Sequence, residues 1–91
     1  MSDARCWQVV INRQPKKMLR QLSGELRERI DESIRRLASE PRPHGCAKLA
    51  GYDDLYRIRV GDWRIVYALE EDRLIVLVLR IEPRGRAYRG L

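Results

Sequence analysis

Leu55-Tyr56-Arg57-Ile58-Arg59-Val60-Gly61-Asp62-Trp63-Arg64-Ile65-Val66-Tyr67 reads as two strands joined by a two-residue turn. Glycine at the first turn position suits a type II′ turn, whose twist matches that of the strands it joins. With that turn, Val60 lies opposite Trp63, Arg59 opposite Arg64, Ile58 opposite Ile65 and Arg57 opposite Val66. Side chains alternate along a strand, so Tyr56, Ile58, Ile65 and Tyr67 share one face and Arg57, Arg59 and Arg64 the other. Like charges directly opposite cost a few tenths to about 1 kcal/mol. Accepting that cost at an ordered place argues for an anion-binding role over an ordinary solvated face.

Before the hairpin, Ala47 to Leu49 predicts a short strand, preceded by a stiff connector, Pro41 to Gly45. Leu26, Ile30, Ile34 and Leu37 recur at near-helical spacing, with Ser23 placed to cap this helix and Glu25 at the positive end of its dipole. The helix must stop by about Glu40, because Pro41 disfavours helical backbone in the residue before it. A shorter helix opens at Pro15 and carries Met18, Leu19 and Leu22 on one face. Cys6 to Ile11 predicts the first strand.

After the hairpin, Glu71-Asp72 predicts a tight turn flanked by Leu69 and Leu74, and Leu74 to Ile81 a last strand returning antiparallel toward Trp63 and Arg64. The run Leu74 to Leu79 lacks alternation, as a central strand covered on both faces does. Beyond it Arg84, Arg86, Tyr88 and Arg89 would arrive beside the arginines and form a concave anion site, with a phenol ring available to stack on an unpaired base. The order of elements predicts an α+β fold: an N-terminal strand, two helices, then a mainly antiparallel twisted sheet with the helices on one face.

The 91 residues leave room for one domain with a modest core. Nineteen lysines and arginines against 13 acidic residues give a net charge of +6, which favours polyanionic or acidic partners. Most of the cations are arginines, whose planar fork suits phosphate. No apolar run is long enough for a membrane span, and Met1 to Arg5 lacks the pattern of a leader peptide. Cys6 and Cys46 stand far apart with only His44 to assist, so free thiols rather than a metal site are expected.

The run Lys48-Leu49-Ala50-Gly51, the hairpin from Leu55 to Tyr67, and an apolar strand closed by Arg84 to Arg89 resemble the RelE/ParE toxin superfamily, in its RelE-like branch. The likeness covers nearly the whole chain, and the hairpin is its specific part. It implies one RelE-like toxin domain over residues 1–91, acting in the cytoplasm as the toxin of a type II toxin-antitoxin system. The implied activity is ribosome-dependent cleavage of messenger RNA in the decoding site, without metal or organic cofactor, by attack of a ribose 2′-hydroxyl on the adjacent phosphate. The implied catalytic residues are Arg57, Arg59, Arg64, Arg84 and Tyr88, with Lys48, Arg86 and Arg89 as RNA contacts. The implied partners are a cognate antitoxin and the ribosome with bound messenger, with the toxin monomeric inside a hetero-oligomer. The ParE-like branch shares the fold and poisons DNA gyrase, and an inactive binding module is a third reading.

This chain departs from the best-known pattern at two places. Arginines stand at 57 and 59 where lysines are usual, and a guanidinium does not give up its proton to act as a base. Glu82-Pro83-Arg84 replaces a Gly-His-Arg run and so lacks its histidine. Glu82, His44 in the connector, a base supplied by the ribosome, and electrostatic catalysis without a protein base are the alternatives left for proton transfer.

Overall fold

The computed structural model describes residues 6–83. They form β1 (Gln8–Ile11), α1 (Arg13–Gln21), α2 (Gly24–Arg36), β2 (Ala47–Lys48), β3 (Leu55–Val60), β4 (Trp63–Glu70) and β5 (Ile75–Pro83). The five strands make one sheet in the order β1-β5-β4-β3-β2. β1 runs parallel to β5, and every other pairing is antiparallel. The α+β arrangement is the one expected.

The hairpin has the register derived from its turn, with Arg59 opposite Arg64 and Val60 opposite Trp63. Gly61 takes a φ of 61°, and Asp62 is not among the residues with positive φ, the combination a type II′ turn needs. One face of the sheet packs on Leu19 of α1, on Ile30 and Ile34 of α2, and on Leu37 just past the end of α2. Tyr56, Ile58, Ile65, Tyr67, Val76, Val78 and Ile81 line that face, and all but Tyr56 and Ile58 of these are wholly or almost wholly excluded from solvent. Burying one aliphatic side chain of this kind contributes about 1.5–3 kcal/mol.

β5 differs from the expected strand in two ways. The turn before it is a four-residue loop, Glu71 to Leu74, because Glu70 rather than Leu69 makes the last pair, with Ile75. Leu74 sits in the left-handed region, φ 55°, and so turns the chain rather than opening the strand. Farther on, Tyr67 pairs with Val78 but Val66 pairs with Arg80, leaving Leu79 as an extra residue in β5. Such a bulge reverses the facing of everything after it. Val76 and Val78 face the helices, and after the bulge so does Ile81 rather than Arg80.

Three smaller differences have local causes. β1 begins at Gln8, since the Trp7 N–H donates to the Ala38 carbonyl at 2.7 Å instead of to a strand. Ser23 holds the cap position of α2 but makes no side-chain cap bond, and Gly24 follows in the left-handed region with φ 69°. α2 ends at Arg36, where the N–H groups of Leu37, Ala38 and Ser39 tighten onto carbonyls three residues back.

Gln14 joins α1 to the sheet. β1 stops opposite Val78, so the edge of β5 beyond it has no strand partner on that side. The Gln14 side-chain amide replaces one: its Nε2 donates to the Ile81 carbonyl at 3.2 Å, and its Oε1 accepts from the Ile81 N–H at 3.1 Å. Gln14→Ala strips both partners from a partly buried backbone unit, a loss of about 1–3 kcal/mol. A chain of this size then melts several degrees lower, at roughly 4–8 °C per kcal/mol. An unchanged melting curve would remove Gln14 from the set of residues that hold α1 in place.

Candidate functional site

On the face turned away from the helices, the register arranges side chains in rows across the strands. Arg59, Arg64 and Glu82 make one row, and Arg57, Val66 and Arg80 the next. A third row runs Leu55, Ala68, Leu77 and Val10. One end of this face is therefore four guanidiniums around one carboxylate, and an apolar strip adjoins it.

Glu82 lies inside the cationic group. Its Oε1 accepts from Arg80 Nε at 3.0 Å, and its Oε2 stands 3.7 Å from Arg64. The Arg64 and Glu82 side chains are only 18% and 13% exposed, so this pair is less screened than an ordinary surface ion pair. Glu82 offsets part of the repulsion between Arg59 and Arg64, and it is not the solvated strand-end residue that is the default for a glutamate. Arg59 is exposed and Arg57 half-buried.

A second cluster fixes the connector against the sheet. Arg42 donates from Nε to the Tyr56 hydroxyl at 3.2 Å, lies 5.4 Å from the Tyr56 ring centroid, and pairs with Glu71. The Tyr56 hydroxyl and the Glu71 carboxylate both hold its guanidinium more firmly protonated than usual. Tyr56 stacks on Tyr67, centroids 5.9 Å apart, and the Tyr67 hydroxyl donates to the Pro41 carbonyl at 2.8 Å. Burial, and then the neighbouring Cys46, push the Tyr67 phenol above its ordinary pKa. The connector so held places His44 beside Ser33, Arg36, Pro43, Ile58 and Arg59, which line a cleft of about 200 Å³ at the edge of β3.

The expected residues thus separate. Arg57, Arg59 and Arg64 share one face. Lys48 does not join them, because it pairs with Tyr56 and projects on the opposite side. Arg84, Arg86, Tyr88 and Arg89 lie outside the described residues. Cys6 and Cys46 are free thiols, and no cluster of metal-ligating side chains occurs among the described residues. Arg80 was not anticipated, since simple alternation from Val78 sends it into the core; an arginine between Leu79 and Ile81 was the signal that alternation had been interrupted.

Residues 10–88 match the family described as ParE toxin of type II toxin-antitoxin system, parDE. The chain belongs to the RelE/ParE toxin superfamily. The toxin is 29% identical over 85 residues to a putative toxin RelE1 of Methanocaldococcus jannaschii, covering 90% of this chain and 94% of that one. It is 34% identical to a chain of the archaeal RelE-RelB complex from Pyrococcus horikoshii, with a TM-score of 0.79 over 89% of this chain and 98% of the other. The intact Escherichia coli RelBE complex, at 23% identity and a TM-score of 0.76, covers 88% of this chain and 99% of that chain and shares the fold.

The Tyr67 phenol carries a prediction for stability against pH. A phenol whose pKa is higher in the folded than in the unfolded chain contributes its full stability below the ordinary value of about 10, and loses it as the pH rises from there toward the folded value. Tyr67→Phe should flatten that alkaline decline and cost about 1 kcal/mol at neutral pH through the lost bond to Pro41. Melting temperatures of the two proteins between pH 7 and 11 check it; parallel curves would mean the phenol is not the group responsible.

Proposed function

We propose that this type II toxin is a ribosome-dependent endoribonuclease that cuts messenger RNA in the decoding site, and that the row Arg59-Arg64-Glu82 is the centre of its site. The facing arginines beside a partly buried carboxylate carry the reading. A scissile phosphate bound between Arg59 and Arg64 relieves their repulsion and receives fixed donors where negative charge grows. The ribose 2′-oxygen attacks phosphorus, the 5′-oxygen of the next nucleotide leaves and takes a proton from solvent, and a 2′,3′-cyclic phosphate remains. Glu82 receives the 2′-hydroxyl proton, being the acceptor beside Arg64, whereas the arginines have no proton-accepting form. Arg57 and Arg80 bind flanking phosphates. By resemblance, Arg84 joins the phosphate clamp, Tyr88 stacks on a base, and Arg86 and Arg89 add contacts to RNA.

A cognate antitoxin covers the same face. An acidic amphipathic segment finds cations for its charges and the strip Leu55, Ala68, Leu77 and Val10 for its apolar side, folding as it binds. The match to the ParE family favours a second reading, gyrase poisoning by protein contact. Induced expression separates the two: codon-phased messenger 5′ ends support cleavage, and gyrase-linked DNA breaks on intact messenger support the alternative.

On programmed ribosomes, Arg64→Ala should lower the cleavage rate by on the order of a hundredfold, the usual loss for one preorganised donor. The fold should survive, because Arg80 still pairs with Glu82. Wild-type cleavage by this variant would take Arg64 out of the site. Glu82→Gln should also cost about a hundredfold, while His44→Ala leaves the rate in place. If His44→Ala carries that loss and Glu82→Gln does not, the histidine is the base.

A further inference from the structure

α1 bears a cationic face that plays no part in the site above. Arg13, Lys16, Lys17 and Arg20 recur at the spacing that stacks side chains along one side of a helix, and α1 contains no acidic residue. Among the described residues none of the four makes an ion pair. α2 is built differently: Arg27 pairs with Asp31 and Arg36 with Glu32 along its surface. Arg13 and Lys16 also lie in the first turn of α1, at the positive end of its dipole, where cations are disfavoured and acidic residues are the norm. Together the four residues line an open cleft of about 510 Å³.

The chemistry of the cleft selects its partner. A membrane-bound helix needs an apolar face to insert, but here Pro15 and Leu19 are buried in the protein, and Met18 and Leu22 pack against its core. A peptide helix needs apolar anchors in its groove, and this lining supplies none. Cations alone, spread over two helical turns or about 10 Å, suit a backbone of repeating phosphates. We propose that α1 is a second RNA contact, a phosphate-binding face for folded, helical RNA, separate from the face that holds the scissile strand. The choice of RNA over DNA rests on the cleavage reading; the phosphate-binding face does not.

The test uses the full chain in an Arg64→Ala background, with and without Arg13→Gln, Lys16→Gln, Lys17→Gln and Arg20→Gln together. The probes are an RNA duplex of about 16 base pairs, the same duplex as DNA, phosphatidylserine vesicles and a polyglutamate peptide. The four changes should not lower the melting temperature, since they remove like charges from the positive end of a helix dipole, and should reduce the slope of log affinity for the RNA duplex against log salt by about 3. An unchanged slope overturns the proposal, and so does a loss confined to vesicles or polyglutamate. Messenger 5′-end mapping with the wild-type chain keeps the two readings apart. Intact messenger together with a reduced slope defeats cleavage and supports the α1 contact; phased cuts with an unchanged slope do the reverse.

Discussion

Leu79 has no partner across the β4–β5 ladder, and the chemistry of the sheet depends on that one unpaired residue. Upstream of it Val76 and Val78 pack on the helices; downstream Ile81 does, while Arg80 and Glu82 turn outward to meet Arg57, Arg59 and Arg64. With strict alternation Arg80 and Glu82 would both face an apolar core. A lone buried charge there costs several kcal/mol, more than most single interactions contribute to a domain this small. The bulge lets one strand serve the core along its first half and the anion face along its second.

The hairpin was legible because its information is local. A glycine-first turn fixes the register, and the register fixes the faces, so the pairing of Arg59 with Arg64 followed from Gly61-Asp62 alone. The helical stripe Ile30, Ile34, Leu37 was legible for the same reason. What local pattern did not reveal was decided across the chain. The four-residue loop and the bulge depend on which apolar residues of β5 meet Ile65 and Leu69, and the burial of Glu82 depends on Arg64 and Arg80 arriving from different directions. The role of Gln14 is similar, since nothing near it in sequence announces that Ile81 lacks a strand partner.

The clamp around Arg42 connects the core to the site. Tyr67 belongs to the core by burial, yet its hydroxyl holds Pro41, and its ring stacks on the Tyr56 that carries Arg42. A connector with two prolines is already stiff; these contacts settle where the stiff segment lies. Its far end carries His44 into the cleft that Arg59 also lines.

The two cationic regions differ in which amino acid supplies the charge. On the sheet Arg57, Arg59, Arg64 and Arg80 are all arginines, whereas the middle of the α1 face is Lys16 and Lys17. Acetylation neutralises a lysine ammonium and leaves a guanidinium untouched, and only the ammonium is readily deprotonated when its surroundings change. The charge on the sheet is therefore permanent. On α1 only the half carried by the exposed Lys16 and Lys17 is open to neutralisation by acylation of an amine, and the half carried by Arg13 and Arg20 is as fixed as that on the sheet.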